Sequence, residues 1–245
     1  MLIIFDLDDT LIDTSGCIVP LKLKDALDTM IAAGLEVKSR QKTYSLLLDI
    51  SKDSITGGDA LRTFLERIKG NPGLLDMAVQ EYYGNIKGEF KVNAFPHAKK
   101  ILEHLRNDHH TLVLVTQGIT SQQHEKMRKA RIDPILFDEI IVSPTSDKKP
   151  HYEKVIGKYR SNLNKSKTTL NKNSPDFNNS NIFPVIVCGD RWKTDLKPAH
   201  ELGFSTVHMQ QGRGAHDIEE DCTADYNITS LSELIPIVKE VECKQ

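Results

Sequence analysis

The sequence predicts an α/β fold in which helices flank a parallel β-sheet and an all-helical segment is inserted after the first strand. Three observations lead to this fold class. Short continuous apolar runs recur along the chain, as is typical of strands buried on both faces of a sheet. Helical patterns alternate with the later runs, which is the order that parallel strands and their crossover helices require. Between the first and second runs, by contrast, the patterns are helical throughout.

Five apolar runs predict the strands of the sheet, at residues 2–5, 112–115, 140–142, 184–188 and 205–209. The helices that alternate with them are predicted at residues 97–107, 121–131 and 194–202. Pro96 precedes the first of these helices and Gly203 follows the last, in agreement with the preferences of helix ends. Ser230 and Glu233 form a capping-box pattern, which predicts that a final helix begins there.

The stretch from residue 15 to residue 91 interrupts this alternation. Its helices are predicted at residues 21–33, 41–50, 59–69 and 74–86, and glycine-containing turns separate them. A helical block placed within one loop of a sheet is typical of a small inserted domain. We therefore predict an α/β domain formed by residues 1–14 and 92–245 and a helical domain formed by residues 15–91.

A second irregular piece, residues 159–181, is rich in Asn, Ser, Lys and Thr and has almost no apolar side chains. Such a segment buries too little apolar surface to offset the entropy lost on ordering. The composition predicts a mobile surface loop.

Composition and charge exclude several classes of protein. The chain has 245 residues, with 32 Lys and Arg against 34 Asp and Glu, a net charge of −2, so neither a nucleic-acid partner nor a membrane surface is expected. No apolar run approaches the roughly 20 residues of a spanning helix, and the N-terminus lacks the features of a secretory signal. The four cysteines show no CxxC spacing, which favours free thiols in the cytoplasm. A monomer or homodimer is expected.

Two acidic segments follow two predicted strands that lie far apart in the sequence. Asp6 and Asp8 follow the first strand, and Asp190 and Asp195 follow the fourth. In a parallel sheet the carboxyl ends of the strands meet at one edge, so the two segments are expected to converge there. Carboxylates this close repel one another and call for a cation. An all-oxygen ligand set favours Mg²⁺ over a softer metal.

Two further segments are predicted at the same edge. Thr116 and Gln117 end the second strand, where a hydroxyl and the backbone N–H groups of the turn can hold an anion. Lys149 follows the third strand, where its ammonium group can reach into the site. Taken separately, such a threonine is commonly a helix cap and such a lysine a surface residue; it is the ordered set that indicates a site.

These segments, in this order, resemble the four motifs of the haloacid dehalogenase-like (HAD) hydrolase superfamily. The matching residues are Asp6-Leu7-Asp8-Asp9-Thr10, then Thr116, then Lys149, and finally Gly189-Asp190 with Asp195. The resemblance covers about residues 1–14 and 92–240 and implies a Rossmann-like parallel sheet. The helical insert resembles the C1-type cap of phosphatase-type members. The segment at residues 159–181 is longer than such members usually carry.

The resemblance also implies chemical roles. Asp6 would be the nucleophile that forms an aspartyl-phosphate, and Asp8 would protonate the leaving oxygen and later deprotonate water. The Asp6 carboxylate, the Asp8 backbone carbonyl and Asp190 would hold Mg²⁺.

The remaining motif residues would serve the phosphoryl group and the loops around it. Thr116, Gln117 and Lys149 would bind the phosphoryl oxygens. Asp195 would orient Lys149 or a metal-bound water, and Thr10 and Asp9 would support the first acidic loop.

The implied activity is Mg²⁺-dependent hydrolysis of a small phosphorylated metabolite. Dehalogenases of this superfamily lack an acid two residues after the nucleophile, so Asp8 favours phosphoryl transfer. Two alternatives stay open at this point. A sugar-phosphate mutase uses the same carboxylates, and a catalytically silent phosphate-binding protein can keep the same fold.

Overall fold

A computed structural model describes residues 1–86, 89–168, 183–217 and 223–244, with the backbone alone described at 162–168. All the strands of this part of the chain lie in one sheet: β1 (Leu2–Phe5), β2 (Thr111–Gln117), β3 (Glu139–Ser143), β4 (Val185–Gly189), β5 (Ser205–Met209) and β6 (Tyr226–Ile228). Their spatial order is β3-β2-β1-β4-β5-β6, and every neighbouring pair is parallel. The predicted α/β class and its parallel sheet are therefore confirmed.

Strand β1 lies at the centre of the sheet, hydrogen-bonded to β2 on one side and to β4 on the other. Its side chains point alternately into two apolar layers, as the pleat requires. Ile3 and Phe5 pack in one layer, while Leu2 and Ile4 pack in the other, and all four are fully buried. The uninterrupted apolar run at residues 2–5 is explained by this burial on both faces.

The helices that flank the sheet are α6 (Ala98–Asn107), α7 (Thr120–Lys129), α8 (Lys149–Thr168), α9 (Lys197–Glu201) and α10 (Leu234–Cys243). The predicted capping box is present: Ser230 and Glu233 cap a 3₁₀ turn, Leu231–Glu233, that leads into α10. A π-helical turn, Trp192–Leu196, precedes α9, so the helix predicted at residues 194–202 begins earlier and is less regular than expected.

Strand β6 was not among the predicted strands. It is three residues long and lies at the edge of the sheet, beside β5. Of its residues only Ile228 is buried, so the sequence carries no apolar run at this position. Its pairing depends on the neighbouring strand rather than on a local pattern.

The prediction of a loop over residues 159–181 is wrong for its first part, because α8 continues to Thr168. The helix is anchored by its beginning, where Tyr152, Val155 and Ile156 pack under the sheet. An anchored helix can extend into a polar segment that does not form structure by itself, since only further turns have to be added. The rest of the predicted loop, residues 169–181, lies outside the described residues.

The inserted segment is all-helical, as predicted. It contains a short helix, α1 (Thr14–Cys17), followed by α2 (Val19–Ala32), α3 (Arg40–Asp53), α4 (Gly57–Ile68) and α5 (Leu75–Tyr83). These helices bury their own apolar cluster, which includes Leu23, Leu27, Leu61 and Phe64 and is separate from the two layers beside the sheet. Within the described ranges, no helix is both long and apolar enough to cross a membrane.

Replacement of Phe64 tests whether the helical cluster is a packed core. Phe64 is fully buried, so we expect Phe64→Ala to lower the free energy of unfolding by about 3–5 kcal/mol. The measurement is urea denaturation followed by far-ultraviolet circular dichroism. Ile135→Ala is the matched control, because that side chain is 77% exposed and its loss should change stability by less than about 0.5 kcal/mol. Equal effects of the two substitutions would contradict the packed core.

Candidate active site

The two acidic segments meet at the carboxyl edge of the sheet. Asp6 follows β1, and its backbone N–H donates to the Cys188 carbonyl of β4 at 3.0 Å, which ties the first segment to the strand that carries the second. One carboxylate oxygen each from Asp6, Asp190 and Asp195 lie within 4.8 Å of one another, and all three residues are buried. The predicted convergence of the two segments is therefore present in the structure.

A buried lysine holds two of these carboxylates. The Lys148 Nζ lies 2.6 Å from Asp6 Oδ1 and 2.6 Å from Asp195 Oδ1, and its side chain is 3% exposed. Burial by itself lowers the pKa of Lys148, but the charges of Asp195 and Asp6 outweigh it and raise that pKa well above its usual value. Burial raises the pKa of Asp6 to about 7, with Lys148 opposing the shift and Asp195 adding to it.

The assignment of Lys149 to this site is wrong. The Lys149 Nζ pairs with Glu201 Oε2 at 2.7 Å, and its side chain is 39% exposed. Lys149 is the first residue of α8, whereas Lys148 lies just before the helix and points to the sheet edge. Adjacent residues on a backbone diverge in direction, so only one of two consecutive lysines can reach the carboxylates. The same motif position could have been assigned to Lys148, which directly precedes Lys149 in the sequence.

Asp8 lies in a separate network on the other side of the site. Lys126 Nζ lies 2.8 Å from both Asp8 carboxylate oxygens, Gln123 Nε2 donates to Asp8 Oδ2 at 3.0 Å, and the Thr14 hydroxyl donates to Oδ1. Burial alone would raise the pKa of Asp8. The Lys126 charge and these hydrogen bonds outweigh it and lower the pKa to about 2. Asp8 is therefore ionised in this arrangement.

Thr116 and Gln117 lie where the second strand ends, as predicted. Thr116 is fully buried, and its Oγ1 accepts from Gln123 Nε2 at 2.6 Å. The same amide nitrogen donates to the Gln117 backbone carbonyl at 3.0 Å. Gly118, at φ +145°, continues the turn with a backbone conformation that L side chains rarely adopt. All three residues border the cavity that contains Asp6.

The surroundings of Asp190 fit a cation. Within the described part of the chain its Oδ2 is buried and has no hydrogen-bond partner. Burial, and then the negative charges of Asp9 and Asp195, raise the pKa of Asp190 well above its ordinary value. An orphaned carboxylate oxygen beside two further carboxylates is unfavourable unless a cation completes the set. The donors are all oxygen, which suits a hard ion such as Mg²⁺.

The backbone at Asp190 is held tightly. His208 Nε2 lies 3.0 Å from the Asp190 carbonyl oxygen, an arrangement in which the ring N–H donates. Gly214 packs on the same peptide: a Cβ there would lie 2.8 Å from the Asp190 carbonyl oxygen and would also collide with that of Met209. These contacts leave the Asp190 loop little freedom to move away from the cluster.

Asp9 supports the first acidic loop, the role predicted for it from the sequence. Asp9, at φ +58°, accepts from the Ser15 backbone N–H at 2.7 Å and from the Ser15 hydroxyl at 2.6 Å. Arg213, located after β5, places its Nε 3.3 Å from Asp9 Oδ2. Thr10, predicted to support the loop, is fully buried within it, and its N–H donates to the Leu7 carbonyl at 3.4 Å.

The site opens into a cavity of about 200 Å³ between the sheet edge and the helical insert. Its lining includes the acidic cluster, Thr116 and Lys148 from the α/β domain, and Lys22 and Tyr82 from the insert. Lys22, Lys126, Gln123 and Arg213 carried no local motif, so only their neighbours in space reveal them.

Comparison with known proteins agrees with this geometry. A family model described as haloacid dehalogenase-like hydrolase matches residues 3–170. A protein of Methanocaldococcus jannaschii named glyceraldehyde 3-phosphate phosphatase is 32% identical over 98% of this chain and 97% of its own length. A protein of the same name from Pyrococcus furiosus is 28% identical over 97% of this chain and 92% of its own length.

Solved structures share the fold. A HAD phosphatase from Thermococcus onnurineus superimposes with a TM-score of 0.54 at 19% identity and covers 97% of each chain. A protein from Bacillus subtilis solved with bound magnesium gives a TM-score of 0.56 at 18% identity, covering 97% of this chain and 98% of its own. At these identities the likeness concerns the fold alone.

Replacement of the two adjacent lysines distinguishes the buried ion pair from the surface one. Lys148→Met leaves Asp6 and Asp195 without their cation, so we expect unfolding in metal-free buffer to require about 3–5 kcal/mol less free energy. Lys149→Met removes an exposed pair and should cost less than about 1 kcal/mol. Chemical denaturation of both variants checks this. A larger loss for Lys149→Met would overturn the assignment.

Proposed function

Because the chain belongs to the haloacid dehalogenase-like hydrolases, we propose that it releases phosphate from a small phosphorylated metabolite through a covalent intermediate on Asp6. Phosphoric monoester hydrolysis is the activity that the family and the full-length relatives support. The observation that carries the proposal is the juxtaposition of Asp6 with Lys148, 2.6 Å apart in a buried cavity that Thr116 also borders. A nucleophile and donors for phosphoryl oxygens thus share one small space.

In the first step an Asp6 carboxylate oxygen forms a bond to phosphorus as the bond from phosphorus to the substrate oxygen breaks. Lys148 and Thr116 donate hydrogen bonds to the phosphoryl oxygens and hold the group in place for attack. Lys148 has a second task, since it also neutralises Asp195 and keeps that carboxylate beside Asp6. Asp195 thereby fixes the position of the lysine, which is the supporting role predicted for it toward Lys149.

Asp8 moves the protons. It gives a proton to the leaving oxygen in the first step and takes one from water in the second, when water oxygen bonds to phosphorus and releases Asp6. The pKa of about 2 keeps Asp8 ionised here, which is the state required for the second step. Donation in the first step requires a proton on Asp8, so Lys126 has to leave the carboxylate and a proton has to come from the substrate phosphate or from water. A phosphoryl oxygen of the substrate is an alternative partner for the Lys126 ammonium group.

Mg²⁺ is the cation that fits the acidic cluster, and Asp6, Asp190 and the Asp8 backbone carbonyl would hold it. When bound, it supplies a positive charge that offsets the repulsion between the Asp6 carboxylate and an anionic phosphoryl group. The orphaned Asp190 Oδ2 supports this assignment.

The helical domain, proposed as residues 15–91, covers the site and sets the size of the substrate. A cap that closes over the cavity excludes water and admits only ligands that fit. The curated relatives are named for glyceraldehyde 3-phosphate, a three-carbon phosphate, and we propose a substrate of that size. The free cysteines Cys17, Cys188 and Cys243 support a cytoplasmic enzyme, which we propose to act as a monomer or homodimer.

Asp6→Asn tests the nucleophile. An amide of nearly the same shape cannot form the acyl phosphate, so we expect phosphate release from glyceraldehyde 3-phosphate to fall by at least about 10³-fold while the circular dichroism spectrum is unchanged. Asp49→Asn is the control, because that side chain is 68% exposed on α3 and pairs with Lys52 of the same helix. Full activity of Asp6→Asn would rule out covalent catalysis by this residue. If the wild-type protein converts a hexose phosphate into its isomer without releasing free phosphate, the mutase alternative is favoured.

Metal removal tests the acidic cluster. We expect a chelator to abolish phosphate release and Mg²⁺ to restore it, because Lys148 alone cannot balance three clustered carboxylates and Asp190 Oδ2 has no partner among the described residues. Mg²⁺ should also raise the melting temperature, since an ion that binds only the folded state stabilises it. In Asp190→Asn both effects should require about 10- to 100-fold more Mg²⁺. Unchanged turnover in chelator would contradict the metal site.

A further inference from the structure

A buried lysine of the helical domain borders the active-site cavity and has no role in the proposed chemistry. Lys22 lies on α2, is 8% exposed and belongs to the cavity lining. Its Nζ donates a hydrogen bond to the backbone carbonyl of Gly84, which follows α5. An ammonium group has three donors, so this contact uses one of them.

The other cations of the cavity lining each have a carboxylate within 4.0 Å. Lys148 pairs with Asp6 and Asp195, Lys126 with Asp8, Arg191 with Asp217, and Arg213 with Asp9. Among the described residues, none offers Lys22 a carboxylate at that distance, and its recorded acceptor is the neutral Gly84 carbonyl. Among the described lining residues, Lys22 is thus the cation without a carboxylate within 4.0 Å.

Leaving this charge unbalanced is unfavourable. Burial lowers the pKa of Lys22 and the neighbouring charge of Lys126 lowers it further, while the more weakly acting charges of Asp25 and Glu81 oppose the shift without reversing it. Two ammonium groups that face one cavity repel each other, and the repulsion grows as water leaves the space between them. An anionic group bound between the helical domain and the sheet edge would relieve both effects.

The contact with Gly84 also has a structural role. A cation near the end of α5 interacts favourably with the carbonyl groups of the last turn. That role accounts for one hydrogen bond at the helix end, but a polar uncharged side chain would serve it without the burial of a charge. An anionic ligand, by contrast, would explain why an ammonium group is buried in the cavity lining.

We propose that Lys22 is a specificity-determining residue that binds a carboxylate on the leaving group of the substrate. The inference rests on the proposed function: the phosphoryl group occupies the end of the cavity formed by Asp6, Lys148 and Thr116, so the leaving group faces the helical domain. The substrate class is a phosphomonoester of two or three carbons that carries a carboxylate.

Three substrates that differ at one carbon test the proposal. 3-Phosphoglycerate, glyceraldehyde 3-phosphate and glycerol 3-phosphate carry a carboxylate, an aldehyde and a hydroxymethyl group at the same position. We expect wild-type kcat/KM to be highest for 3-phosphoglycerate. In Lys22→Met, kcat/KM for this substrate should fall by about 10- to 100-fold, the value of a hydrogen bond to a charged group, and kcat/KM for glycerol 3-phosphate should change by less than about threefold.

Two further variants separate charge recognition from structural support. Lys22→Arg keeps the positive charge and should retain most of the preference for 3-phosphoglycerate. Lys24→Met is the matched control on the same helix, because the Lys24 side chain is 55% exposed and pairs with Asp28. If Lys22→Met does not fold, the wild-type ranking together with Lys22→Gln decides the question.

The outcomes distinguish the inference from the function on which it rests. A wild-type preference for the uncharged substrates, or an equal loss of kcat/KM for all three substrates in Lys22→Met, would overturn the role of Lys22 and leave the phosphatase intact. Hydrolysis only of phosphomonoesters that lack a carboxylate, and of neither 3-phosphoglycerate nor phosphoglycolate, would also overturn it. Failure to release phosphate from any phosphomonoester in the presence of Mg²⁺ would contradict the proposed function itself.

Discussion

The ion pairs of Lys148 are the interaction on which the site depends. Asp6 and Asp195 come from opposite parts of the chain and lie buried at one edge of the sheet, where their charges repel. The Lys148 ammonium group lies 2.6 Å from each carboxylate, so it offsets their repulsion and fixes the orientation of both side chains. Asp190, buried beside them with an orphaned oxygen, leaves a place for one more positive charge. The parallel sheet matters because it brings these groups to one edge.

The site divides its charges between two networks. Asp6, Asp190, Asp195 and Lys148 form the network at the ends of β1 and β4, where phosphorus and the cation would sit. Asp8 belongs to a second network with Lys126 and Gln123 on α7, and Gln123 also reaches Thr116. The two carboxylates of the first motif therefore differ in environment: the pKa of one is raised to about 7 and that of the other is lowered to about 2. Such divergence is how neighbouring carboxylates acquire different roles.

The helical domain also lines the cavity, but with charged groups in a different environment from those of the α/β domain. The α/β domain supplies charged groups that are paired with one another, whereas the helical domain supplies Lys22, which has no carboxylate within 4.0 Å among the described residues. In the proposed reaction, chemistry belongs to the sheet edge and selection of the leaving group to the helices. The helical domain and the sheet also pack around separate apolar clusters.

The sequence by itself determined the central strands, the all-helical insert and the carboxylates Asp6, Asp8, Asp190 and Asp195, because buried strands need continuous apolar runs and these acids follow them directly. It did not determine β6, which pairs through its neighbour, or the extension of α8 to Thr168. It also assigned Lys149 in place of Lys148, since two consecutive lysines are equivalent until the start of a helix fixes their directions. Lys22, Lys126 and Arg213 became recognisable only in the tertiary structure, because each acts through a partner distant in the chain.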